Sequence, residues 1–151
     1  MYAMSRSKRM KPVQRVAQNR EQTAVQKLGQ SQQYLDAQRA KLEELCSYRD
    51  QYSESFKTTS GQGLDANRLQ DFRVFLSRLN EAIRQQETII VQCTSQHEQT
   101  RQQWVETRSH HQAIDKVIER YRSEEQKMEN RREQKEQDEH SQRPGGKPPK
   151  L

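Results

Sequence analysis

The sequence predicts an all-α chain, an elongated antiparallel two-helix coiled-coil hairpin with unequal arms. Three observations predict it. Proline occurs at Pro12, Pro144, Pro148 and Pro149 and nowhere between 12 and 144. Within that stretch apolar side chains return at alternating spacings of three and four. Two glycines, Gly61 and Gly63, fall close together near its middle. Proline costs about 3 kcal/mol inside a helix and glycine about 1. The proline-free stretch therefore permits very long helices, and the glycine pair marks where the chain turns back.

Composition points the same way. Of 151 residues 29% are hydrophobic and 32% charged, with a mean hydropathy of −1.36 and 23 glutamines. Ordinary domains are roughly 45–50% apolar, so this chain is too polar for two packed layers around one core, which excludes most enzyme folds. No apolar run approaches the roughly 20 residues that cross a bilayer. The basic start is not followed by the apolar stretch of a secretory signal. Two cysteines, Cys46 and Cys93, are too few for a disulfide scaffold and suit a reducing compartment. The net charge of +6 is matched by the six Lys/Arg of residues 1–20, which contain no acid. The remainder mixes both signs as a solvated helical surface does.

The elements follow in order. Residues 1–10 form a basic N-terminal extension. The first helix covers about 11–57 and the segment 58–67, rich in Thr, Ser, Gly, Asp and Asn, is the turn. The second helix covers about 68–137, with Asp65 as N-cap and Leu64 placed against Leu69 as a hydrophobic staple. Residues 138–151 carry the remaining prolines and are expected to be a disordered tail.

One unbroken register runs through each helix. In the first it passes Ala17, Glu21, Ala24, Leu28, Ser31, Leu35, Gln38, Leu42, Leu45, Arg49, Tyr52 and Phe56. In the second it passes Leu69, Phe72, Leu76, Leu79, Ile83, Gln86, Ile90, Cys93, His97, Thr100, Trp104, Thr107, His111, Ile114, Ile118, Tyr121, Glu125 and Met128. A heptad sustained this long argues for a coiled coil. Folding at residue 62 places Phe56 opposite Leu69, Tyr52 opposite Phe72, Leu45 opposite Leu79 and Leu35 opposite Ile90. The seam is apolar near the turn and poor beyond it, where Ser31, His97, Thr100 and Thr107 bury little. The same register leaves Cys46 and Cys93 far apart, as two free thiols.

Two apolar surfaces are then left over. If residue 10 faces about 114, the second helix overhangs by roughly 20 residues, and Ile114, Val117, Ile118, Tyr121 and Met128 make a stripe without an intramolecular partner. Near the turn, Phe75, Ala82 and Ile89 stand beside the seam, with Tyr48 flanking it on the other helix. Exposed aromatic clusters of this kind are typical of binding hot spots; the alternative is that Phe75 and Ile89 only thicken the seam. No phosphate loop, nucleophile elbow or paired CxxC motif is present, so no catalytic, cofactor-binding or metal site is expected. His97 and His111 fall on the seam and read as polar layers, and Trp104 reads as an anchor there.

Two blocks, Leu42-Glu-Glu-Leu-Cys-Ser-Tyr-Arg-Asp-Gln-Tyr52 and Leu69-Gln-Asp-Phe-Arg-Val-Phe-Leu-Ser-Arg-Leu-Asn-Glu-Ala-Ile-Arg-Gln-Gln86, resemble the flagellar FliJ family. Arg101-Gln-Gln-Trp104 and the charged helix that follows are also similar, and the resemblance covers about residues 11–137. It implies a non-enzymatic component of the flagellar type III export apparatus, cytoplasmic and peripheral at the inner face of the cell membrane. Its implied job is the central stalk of the export ATPase ring, promoting hexamerisation and coupling the ring to the export gate. It also implies escort of export chaperones. Carried over by position, the gate-facing surface falls on Leu45, Tyr48, Tyr52, Phe75, Leu79, Ala82 and Gln86. The ATPase-facing end falls on Arg15, Arg20, Ile114, Ile118, Tyr121 and Arg122. Alternatives are the stalk of a virulence-type secretion ATPase or a generic coiled-coil adaptor. A nucleic-acid-binding coiled coil is disfavoured, because the cationic surplus is confined to one end without interleaved aromatics.

Overall fold

In the computed structural model, which describes residues 4–61, 63 and 65–142, the helices are α1 (Arg6–Arg9), α2 (Lys11–Ser60) and α3 (Ala66–Gln142). The chain is an all-α helical hairpin whose two long helices pack against each other. Gln, Glu, Arg, Lys and Ala dominate both, all strong helix formers. Pro12 stands in the first turn of α2, where a missing N–H is tolerated. Surface pairs such as Glu81–Arg84 at 2.9 Å add a few tenths of a kcal/mol each.

The turn is made by glycine and a cap. Gly63 takes φ of +85°, a left-handed conformation that glycine adopts without steric cost. Asp65 then caps α3, its Oδ1 accepting the Arg68 backbone N–H at 2.9 Å. Leu64, the other half of the expected staple, lies outside the described residues, and Leu69 is exposed. Phe56 packs on Phe72 instead, so Leu69 has no facing ring.

The expected seam is otherwise the buried face. Every position from Ala17 to Phe56 on α2, and from Phe72 to Glu125 on α3, is buried or half-buried. Both ends of the α3 series, Leu69 and Met128, are exposed. Cys46 and Cys93 are free thiols, the first half-buried and the second buried.

The chain divides into two compact units, Thr23–Val105 and Met1–Gln22 with Glu106–Leu151. In the first, which contains the turn, Gln38 faces Gln86 and Tyr52 faces Phe72, the register expected from the fold point. In the second, Glu21 meets His111, Gln14 meets Asp115 and Ser7 meets Glu125. A constant register would have put Glu21 opposite residue 103. The difference of eight positions corrects the expected overhang. Ile114 and Ile118 are not an unpartnered stripe but form a buried cluster with Ala17, against which Met10 packs. Ser31, Thr100 and His97 are too polar to pin a register, so hydrogen bonds at the terminal end set it there.

The domain bounds also move. Residues 6–9 of the basic extension are helical, α2 continues to Ser60, and α3 continues to Gln142, so residues 138–142 belong to the helix. Residues 143–151, the rest of the expected tail, lie outside the described residues.

Candidate functional site

Near the turn the seam becomes a ladder of rings. Phe56 stacks on Phe72 with centroids 3.7 Å apart, and Phe72 stacks on Tyr52 at 5.3 Å. Tyr52 in turn tilts against Phe75 at 4.4 Å, and Phe75 takes the edge of Tyr48 at 6.0 Å. Each such pair contributes roughly 0.5–1.5 kcal/mol beyond its buried area. The ladder climbs from the seam to the surface, because α2 supplies its rings at intervals of four while Phe72 and Phe75 lie on adjacent flanks of α3. Its last ring, Tyr48, is 52% exposed.

Beside Tyr48 lies an open groove of about 430 Å³ lined by Lys41, Glu44, Leu45, Tyr48 and Gln86. The residues expected to face the gate thus divide. Tyr48 is exposed and Leu45, Tyr52, Phe75 and Ala82 are half-buried along the same flank. Leu79 and Gln86 are buried, at 8% exposure each. The Gln86 amide points into the seam, donating to the Gln38 backbone carbonyl at 2.9 Å and to Gln38 Oε1 at 2.8 Å. That corrects the placement of Leu79 and of the Gln86 amide on an outer surface: both hold the helices together beneath the groove.

The other candidate end is organised by charge and hydrogen bonds. Arg15, Arg20 and Arg122 are exposed. Ile114 and Ile118 are buried at 8% and 2%, and Tyr121 is half-buried with the Arg6 guanidinium 5.7 Å from its ring centroid. These three side chains are therefore covered by the chain's own start, which corrects their reading as a free face. Glu125 accepts the Ser7 hydroxyl at 2.7 Å and the Ser7 backbone N–H at 3.1 Å. Those bonds, with Arg122 and Lys8 nearby, hold its carboxyl below the ordinary glutamate value. His111 bonds Glu21 through Nδ1 and lies 3.5 Å from Asp115 through Nε2.

The heptad reading did not foresee Ser7, Gln14 or Asp115 as cross-helix partners. One signal was present: Glu21 and Glu125 occupy seam positions, and a carboxylate there requires a donor from the facing helix. Trp104 and His97 are half-buried on the seam. Among the described residues no group of three or more His, Cys, Asp or Glu side chains is arranged to hold a metal, and no helix is long and apolar enough to cross a membrane.

Two long helices packed against each other along one heptad seam define a class: the coiled-coil helical hairpins. Residues 6–148 match the family FliJ, described as Flagellar FliJ protein. The chain belongs to the FliJ family, which implies a component of the flagellar export apparatus. No curated protein and no solved structure matches the chain.

Proposed function

We propose that this chain is the non-catalytic central stalk of the flagellar export ATPase, promoting assembly of the hexameric ring and coupling it to the export gate. In this reading it works in the cytoplasm, peripheral at the inner face of the cell membrane, and escorts export chaperones. The observation that carries the gate contact is Tyr48: it ends a ring ladder otherwise paired, stands exposed, and borders the Lys41–Gln86 groove. Exposed aromatics beside a groove are what interfaces use as anchors. Leu45, Tyr52, Phe75 and Ala82 form the flank that shapes it, with Leu79 and Gln86 as its floor.

At the other end Arg15, Arg20 and Arg122 meet acidic surfaces of the ring, while Ile114, Ile118 and Tyr121 hold the two helices in position beneath them. A stalk that engages six identical subunits must present unequal faces, and a chain whose cationic surplus is concentrated in residues 1–20 supplies that asymmetry.

The test is ATP turnover by the flagellar export ATPase with and without this protein at near-stoichiometric amounts, paired with sizing chromatography. Stimulation with hexamer formation is expected; no stimulation and no co-elution would remove the stalk role. For the gate surface, Tyr48→Ala with Phe75→Ala should weaken gate binding with helix content unchanged. Helix loss by circular dichroism would make those rings seam rather than surface.

A further inference from the structure

We propose that residues Ser5–Met10 form a releasable strap that masks the apolar end of α3. The strap is a short helix, α1, whose Ser5 side chain caps it by accepting the Lys8 N–H at 3.4 Å. It grips α3 at two points, through Ser7 on Glu125 and through Arg6 over Tyr121. Ser7 is only 6% exposed. The strap's last residue, Met10, packs on the Ala17–Ile114–Ile118 cluster. Lifting it uncovers the cluster in which Ala17 and Ile118 are each only 2% exposed.

Two features make the strap separable from α2. The regular helix is interrupted at Met10, a turn residue that keeps near-helical dihedrals and still accepts the Gln14 N–H at 2.9 Å. Pro12, two residues on, has no N–H to donate back to the strap. The polar part of its hold is also local: the anion that anchors Ser7 is the carboxylate of Glu125. Lys8, Arg9 and Lys11 are exposed, Arg6 is exposed apart from its contact with the Tyr121 ring, and residues 5–11 contain no acid. An acidic partner surface that takes up these cations competes with Glu125 for the strap. The apolar face then becomes available at the moment the partner arrives. This masking of the ATPase-facing end rests on the docking role proposed above; the strap's existence and its cover over Ile118 do not.

The experiment uses the full chain and Glu125→Ala, a substitution that removes both acceptors yet suits a helix. Because hydrogen bonds to a charged group are among the stronger ones, hydrogen exchange at the Ser7–Met10 amides should rise roughly tenfold or more. The amides of residues 70–100 should keep their protection, showing that the hairpin is intact. Binding of the apolar dye 1-anilinonaphthalene-8-sulfonate should rise with it. Unchanged exchange overturns the strap; faster exchange without extra dye binding overturns the mask. Ser7→Ala, which removes only one of the two bonds, should lie between wild type and Glu125→Ala and keeps the test decisive if Glu125→Ala misfolds. With purified export ATPase, a freed strap should tighten binding several-fold, and weaker binding overturns the autoinhibitory role. If no form binds the ATPase, the docking role fails while the exchange and dye results still decide the strap.

Discussion

The turn-bearing unit and the terminal unit solve the same problem, joining two helices, with different chemistry. In the first, rings and leucines fill the seam, and Gln38–Gln86 is a buried polar layer within it. In the second, a small cluster of Ala17, Ile114 and Ile118 is surrounded by side-chain bonds across the helices, Ser7–Glu125, Gln14–Asp115 and Glu21–His111. Apolar packing is non-directional and fills a face. Hydrogen bonds tolerate little error in distance or angle. The contrast teaches that one heptad pattern can carry two kinds of register, one set by area and one set by individual donors.

The sharpest way to break this contrast is Ile118→Ala. Truncating a side chain exposed by only 2% should cost about 3 kcal/mol, read as a lower denaturant midpoint. A loss under about 1 kcal/mol would mean that the terminal unit has no apolar core. Next in size is Gln86→Leu. It leaves the Gln38 side-chain carbonyl buried without its donor and should cost about 2 kcal/mol. Gln38→Leu together with Gln86→Leu should recover that loss, because neither amide is then stranded.

Smaller effects come from the glycines, which the two structural settings push in opposite directions. Gly63→Ala should destabilise by about 1 kcal/mol because of the left-handed backbone at φ +85°. Gly29→Ala should stabilise by up to about 1 kcal/mol, since the position is mid-helix and a Cβ there meets nothing within 4 Å. Thermal melts of the two variants check both signs.

The smallest expected effect is a pH dependence confined to the terminal unit. Glu125 has a folded value below its ordinary one, held there by Ser7, with Arg122 and Lys8 nearby. Its contribution is therefore complete above the ordinary glutamate range and is lost as pH falls through the lowered folded value. Protection factors at Ser7–Met10, taken relative to the intrinsic exchange rate at each pH, should fall on acidification in wild type and lose that component in Glu125→Ala.

How much of this was legible depends on which chemistry holds the helices. The seam could be read because Leu35, Leu79 and Ile83 repeat at helical spacing, and the turn because only glycine and an Asp cap suit it. The aromatic flank near the turn could be read as far as Tyr48 and Phe75. The inward aim of Gln86 could not, since a glutamine at a seam position fits either a buried pair or a solvated edge. The terminal register was also hidden: spacing says that Glu21 and Glu125 face the partner helix, not which donor each will find. The strap was least visible, because six residues contain too little periodicity to predict a helix, and its anchor lies 118 positions away.

The buried Gln38–Gln86 couple has a mechanical consequence for the hairpin. Sliding α3 along α2 to the next equivalent position requires a step of about 10 Å, one heptad of helical rise. At every intermediate offset the two amides lie in an apolar seam without their bonds, a penalty of roughly 1–3 kcal/mol for each stranded group. Shear along the helix axes therefore meets a detent: the pair stays rigid under small forces and yields in discrete jumps rather than creeping.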